Sequence, residues 1–141
     1  MTESRASRPE RTTDTSGWWS TELQVWWREF DELGHMTAAA YAAAYEEGAG
    51  RFVVERWATM TPSFVTAETI ISYLHEVRRA RLPLTVFVHA EEIGRRSFVL
   101  RMVMCDADLT QCSVARTLYV AWDREGRGSR DLTTSERHAL Q

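Results

Sequence analysis

The feature that most constrains this chain is a change of hydrophobic period across Pro62. Before it, Thr37 to about Trp57 is rich in Ala and carries Tyr41, Tyr45, Ala49 and Phe52 at helical spacing. After it, Phe64 to Leu74, Leu84 to Glu92, Arg95 to Cys105 and Ser113 to Trp122 alternate with period two and read as strands. Gly94 and the Asp106 to Thr110 segment mark two hairpin turns. One long helix followed by strands joined as a meander predicts an α+β protein with helix and sheet segregated. Gly48 and Gly50 each cost that helix roughly 1 kcal/mol relative to Ala, a loss expected where a sheet approaches it closely.

Upstream, Leu23 to Phe30 reads as a further strand from its aromatic and β-branched content. Trp18, Trp19, Trp26 and Trp27 lie in or beside it and are expected in the core or at a subunit interface. A connector from Asp31 to Met36 leads into the helix. Residues 1–16 are almost wholly polar and are expected to form a disordered tail, leaving 17–141 as a single domain. Beyond Asp123 the chain reads as loop, with Thr134 or Ser135 capping a last short helix through Leu140.

Several classes of function are disfavoured. A net charge of −3 and the lack of a long Lys/Arg tract argue against nucleic acid as a partner. No apolar run approaches the roughly 20 residues that span a bilayer, and the polar N-terminus has no secretory stretch, so the expectation is a cytoplasmic protein without membrane contact. Cys105 and Cys112 flank the turn and leave a cross-strand disulfide conceivable, although free thiols are the commoner state outside exported proteins. No spacing of Cys, His and acidic residues suggests a metal, and no Gly-rich phosphate loop or G-x-S-x-G elbow is present, so no cofactor is expected.

The connector and helix start, Asp31-x-x-Gly34-His35-Met36 followed by Tyr41, resemble the D-x-x-G-H-V-N-N-x-x-Y signature of the 4-hydroxybenzoyl-CoA thioesterase-like hotdog family. Ile71-Ser72-Tyr73-Leu74 looks like the family's second strand, and Glu92-Ile93-Gly94-Arg95-Arg96-Ser97-Phe98 looks like its hairpin, so the likeness runs from roughly Glu22 to Asp123. One departure stands out: Thr37-Ala38 replaces the Asn pair that often follows G-H-V. The resemblance implies a hotdog fold, an antiparallel five- to six-stranded sheet wrapped around one long central helix. It also implies an acyl-CoA thioesterase that pairs sheet edges across a two-fold axis into a homodimer, or further into a homotetramer.

Thioester hydrolysis needs a carboxylate beside the carbonyl carbon, as nucleophile or as general base, and a donor for the developing oxyanion. By resemblance Asp31 is that carboxylate and the Ala38 N–H at the helix start is that donor; read without the likeness, Asp31 is a loop or capping residue. Gly34 would allow the turn between them, and His35 would donate to substrate or steady the loop. Thr37, Tyr41, Tyr45 and Tyr73 are pocket candidates, with core packing at least as good a reading of the tyrosines; the dimer implied by the resemblance would let Tyr73 or His75 from a partner subunit complete each pocket, a structural hydrogen-bonder being the stronger reading of His75 from the residues alone. Arg95, Arg96 and Ser97 at the hairpin suit the phosphates of coenzyme A, although exposed turn arginines are common. Glu46 and Glu47 are a second carboxylate source, since some hotdog thioesterases carry the catalytic acid on the helix, although a solvated helix face is the commoner reading of such a pair. Two other outcomes stay open: a hotdog acyl-CoA hydratase or dehydratase, and a noncatalytic acyl-binding module. The Gly34-His35-Met36 variant is also similar to thioesterases attached to carnitine degradation, which implies a small quaternary amine as acyl group and the Trp residues as a cation–π surface.

Overall fold

A computed structural model describes residues 12–141. Its elements in chain order are β1 (Trp19–Leu23), α1 (Ala38–Trp57), β2 (Phe64–Tyr73), β3 (Leu84–Ile93), β4 (Ser97–Cys105), β5 (Gln111–Asp123), β6 (Gly128–Ser129) and α2 (Thr134–Leu140). The strands form one antiparallel sheet in the order β1-β3-β4-β5-β2, with β6 paired to β5. The hotdog expectation is met: α1 lies against β1, β3 and β4, and α2 closes over α1 and β3.

The helix begins where its chemistry says it should. Thr37 is the N-cap, its side chain accepting from the Ala40 N–H at 3.2 Å. The face that turns inward repeats at three- and four-residue intervals, Ala40, Tyr41, Ala44, Tyr45, Gly48, Ala49, Phe52 and Val53. Small residues alternate with large ones along it, so the sheet can close tightly between the rings. At Gly48 the approach is tightest, since a Cβ built there would stand 2.9 Å from Val86 Cγ1. Gly50 differs from the sequence expectation: a Cβ there meets nothing within 4 Å, so no strand approaches it.

Three other expectations are corrected. The first strand is Trp19–Leu23, not Leu23 to Phe30, and Trp27–Glu29 forms a 3-10 turn. The ladder with β3 ends at Leu23↔Leu84 because the next residue on β3's side is Pro83, which has no N–H to extend it. The four late strands are not a simple meander either: β2 pairs with β5, so only β3, β4 and β5 follow one another. The last helix is capped by Thr133, through a capping box with Glu136, not by Thr134 or Ser135. Cys105 and Cys112 are free thiols, both buried.

The expected polar tail lies outside the described residues as far as residue 11. Thr13 is tied to the sheet, donating its N–H to Gln111 Oε1 at 3.0 Å and accepting from Gln111 Nε2 at 2.7 Å.

Candidate active site

The connector before α1 is a compact loop built on Asp31. Its Oδ1 accepts from the Leu33 N–H at 2.9 Å and the His35 N–H at 3.0 Å, while its own N–H donates to His35 O at 2.8 Å. Gly34 completes the turn at φ +77°, a backbone state that side chains resist, and its amide donates to Asp31 O. One carboxylate oxygen is thus held by two amides, and Oδ2 has no hydrogen-bond partner among the described residues.

This loop and the end of β2 face each other across an open cleft of about 420 Å³ lined by Asp31, His35, Met36, Thr37, Ala38, Tyr41, Tyr73, Leu74, His75 and Glu76. Seven of the residues singled out in the sequence therefore meet at one place. Ala38 is the first helical residue, so its N–H has no intrahelical acceptor and sits at the positive end of the α1 dipole. Tyr41 and Tyr73 meet edge to face with centroids 4.8 Å apart. Burial raises the Tyr41 phenol above its ordinary pKa, so it stays a neutral hydroxyl at physiological pH. These two are the phenol rings of the cleft, beside the imidazoles of His35 and His75; among the described residues no Trp lines it.

Other candidates lie elsewhere. Tyr45 is in the core, one turn deeper on α1, and burial pushes its phenol up strongly. Its hydroxyl has no hydrogen-bond partner among the described residues. Arg95, Arg96 and Ser97 occupy the far end of the sheet: Ser97 is level with Val120 and Tyr73 with Ser113, seven residues apart on β5 or roughly 23 Å at the rise of a strand. Both arginines are engaged by Asp131, Arg96 at 2.8 Å and Arg95 at 3.3 Å, so within one chain they are remote from the cleft. Glu47 pairs with Arg51 at 2.7 Å, and Glu46 is exposed outside the cleft.

Sequence reasoning passed over Glu76. Its carboxylate contacts His35 Nε2 at 2.7 Å and Arg78 Nε at 2.6 Å, bracing the Asp31 loop against the segment that follows β2. The Arg78 guanidinium chiefly holds the Glu76 carboxyl below the usual carboxylate range, with His35 adding to it. An acid directly after His75, at the end of a strand that bears pocket candidates, was the available signal. Among the described residues no group of three or more His, Cys, Asp or Glu side chains is placed to hold a metal ion. Nor is any helix there long and apolar enough to cross a membrane.

The family profile described as the thioesterase-like superfamily matches residues 25–138. The chain belongs to the thioesterase-like superfamily. By family it is therefore a thioester hydrolase built on the hotdog fold. No curated protein matches it. Among solved structures it is similar to a Thermus thermophilus thioesterase complexed with coenzyme A and Zn, with 20% identity over 86% of this chain and 90% of that one and a TM-score of 0.75. A hypothetical protein of Staphylococcus aureus in complex with CoA is similar at 16% identity, covering 92% and 85%, with a TM-score of 0.80. A gentisyl-coenzyme A thioesterase is similar at 14% identity, covering 87% and 100%, with a TM-score of 0.76. At these identities the likeness shows the fold.

Proposed function

We propose that this chain hydrolyses an acyl-CoA thioester to the free acid and CoA, with Asp31 as the catalytic carboxylate. The observation that carries the reading is the pairing, in one cleft, of a carboxylate oxygen and the Ala38 amide, neither of which has a hydrogen-bond partner among the described residues. Asp31 either takes a proton from the attacking water, or attacks the thioester carbon itself to give an acyl–Asp31 anhydride that water then hydrolyses to the free acid and the restored carboxylate. The Ala38 N–H receives the carbonyl oxygen as it gains charge, and the thiolate of CoA leaves. The CoA complexes of proteins with the same fold support CoA as the carrier.

A dimer through β2 is part of this reading. β2 is an edge strand that exposes Val65, Ile70 and Tyr73, an arrangement that invites a second copy to continue the sheet. Light scattering should give a dimer or a larger even assembly at micromolar concentration; a monomer there would remove this part of the proposal.

The direct test is free-thiol release from short, medium, long-chain, aromatic and betainyl CoA thioesters, with Asp31→Asn as control. Asn retains an Oδ1 for the two loop amides, so the variant should keep its fold while turnover falls by on the order of 10² to 10⁴. Retained turnover in Asp31→Asn would overturn the mechanism. CoA binding without thiol release across the panel would favour an acyl-binding module instead.

A further inference from the structure

Beside the cleft, the segment that follows Glu76 carries three arginines, Arg78, Arg79 and Arg81. Two are neutralised locally, Arg78 by Glu76 at 2.6 Å and Arg81 by Asp108. Arg79 is different. Its guanidinium carbon lies 3.5 Å over the Trp27 ring and 5.1 Å from the centroid of Phe30, the residue directly before Asp31. Among the described residues its buried Nε has no hydrogen-bond partner, and no carboxylate lies within salt-bridge distance of it.

A buried donor left unpaired is expensive, and a guanidinium held against an aromatic face has lost much of its freedom already. Such a group is prepared for an anion, and its fork geometry favours a phosphate. Trp27 itself is 73% exposed, and Trp26 beside it is 71% exposed, so aromatic surface remains available next to the cation. Stacking on such a ring tolerates any flat base.

Resting on the acyl-CoA reading above, we propose that Arg79 and Trp27 form the nucleotide subsite of the cleft, with Arg79 binding a phosphate of CoA and Trp27 stacking on its adenine. The subsite lies at the segment following β2, not at the Arg95–Arg96 hairpin to which the sequence alone points. Arg79 also joins the two walls of the site, because the Trp27–Phe30 stretch leads into the Asp31 loop and the arginine follows Glu76. Occupation of the subsite should therefore steady the same loop that carries the catalytic carboxylate.

The test is calorimetric titration of the full chain with CoA, 3′-dephospho-CoA and adenosine 3′,5′-bisphosphate, on wild type, Arg79→Ala, Arg79→Gln and Trp27→Ala. Loss of a charge-assisted bond should weaken CoA binding by about tenfold or more in both Arg79 variants. A loss confined to the two ligands with a 3′-phosphate assigns that group to Arg79, and an equal loss with dephospho-CoA assigns the pyrophosphate. Trp27→Ala should weaken all three ligands. The fall in thiol release caused by Arg79→Gln should be larger with acyl-CoA than with the matching acyl-pantetheine, which has no nucleotide; an equal fall with both would assign Arg79 a structural part only and overturn the subsite. Unaltered CoA affinity in the folded Arg79 variants overturns the subsite while leaving the thioesterase reading in place. Absence of both CoA binding and thiol release in wild type overturns the two together.

Discussion

His35 and Glu76 meet at 2.7 Å across the mouth of the cleft, and this contact ties the loop before the central helix to the end of the edge strand. A carboxylate only accepts, so His35 Nε2 carries the proton of that bond. If Asp31 is the catalytic carboxylate proposed above, Glu76 acts as a positioning residue, holding the Asp31 loop through His35. Glu76→Gln should lower kcat by on the order of tenfold with a smaller change in KM, because a displaced loop misplaces the carboxylate. The melting temperature should hardly move, since the contact is exposed. The pH sense follows from the lowered carboxyl pKa: the contact is intact above the ordinary value of 4.5 and is lost as pH falls through the lower folded value. A variant with unchanged kcat across the pH range would show that the bracing has no catalytic consequence.

Gly34 stands at φ +77°, and a Cβ there would meet nothing within 4 Å. Its requirement is conformational, with no part played by space. Gly34→Ala should cost about 1–2 kcal/mol of loop stability, visible as reduced turnover with little change in far-ultraviolet circular dichroism. Full activity would mean that the turn tolerates a left-handed alanine.

Gly48 and Gly50 should respond in opposite directions to alanine. At Gly50 nothing is in the way, and helix propensity should add about 0.5–1 kcal/mol of stability. At Gly48 the new methyl meets Val86 at 2.9 Å, and Val86 is fully buried and stiff at its branch. Overpacking should outweigh the propensity gain and leave a net loss of about 1–2 kcal/mol. Denaturant midpoints of the two variants decide this directly, and a stabilised Gly48→Ala would mean that the helix can lift from the sheet.

Cys105 and Cys112 have thiol pKa values pushed up to about 11, chiefly by burial, with Asp106 adding to it. At pH 8 roughly one molecule in a thousand then carries a thiolate at each. Ellman's reagent should leave both unmodified in the native protein and titrate both after denaturation, so thiol release by the enzyme can be read without background. Because the folded values exceed the ordinary 9.0, their contribution to stability is complete below about pH 9 and falls away as pH rises toward 11. Fast modification of the native chain would show that the β4–β5 end of the sheet opens readily.

Much of the architecture was legible because it rests on local periodicity. The helix from Ala38 is announced by its capping Thr37 and its inward face, and the strands by alternation and their turns. Leu23 to Phe30 misled for a physical reason: aromatic content marks a segment that can be a strand, but a ladder also needs a partner, and Pro83 ends it.

The sequence by itself determined the helix, the strand segments and the Asp31-x-x-Gly34-His35 loop, whose hydrogen bonds span at most four residues. Only the tertiary structure decided that β2 pairs with β5 and thereby brings Tyr73, His75 and Glu76 to that loop. It also decided that Arg95 and Arg96 stand at the far end of the sheet and that Arg79 lies on Trp27. The difference is one of range. Caps, turns and amphipathic faces are set by neighbours in the chain, whereas strand order and cleft membership depend on contacts between residues tens of positions apart, which periodicity does not encode.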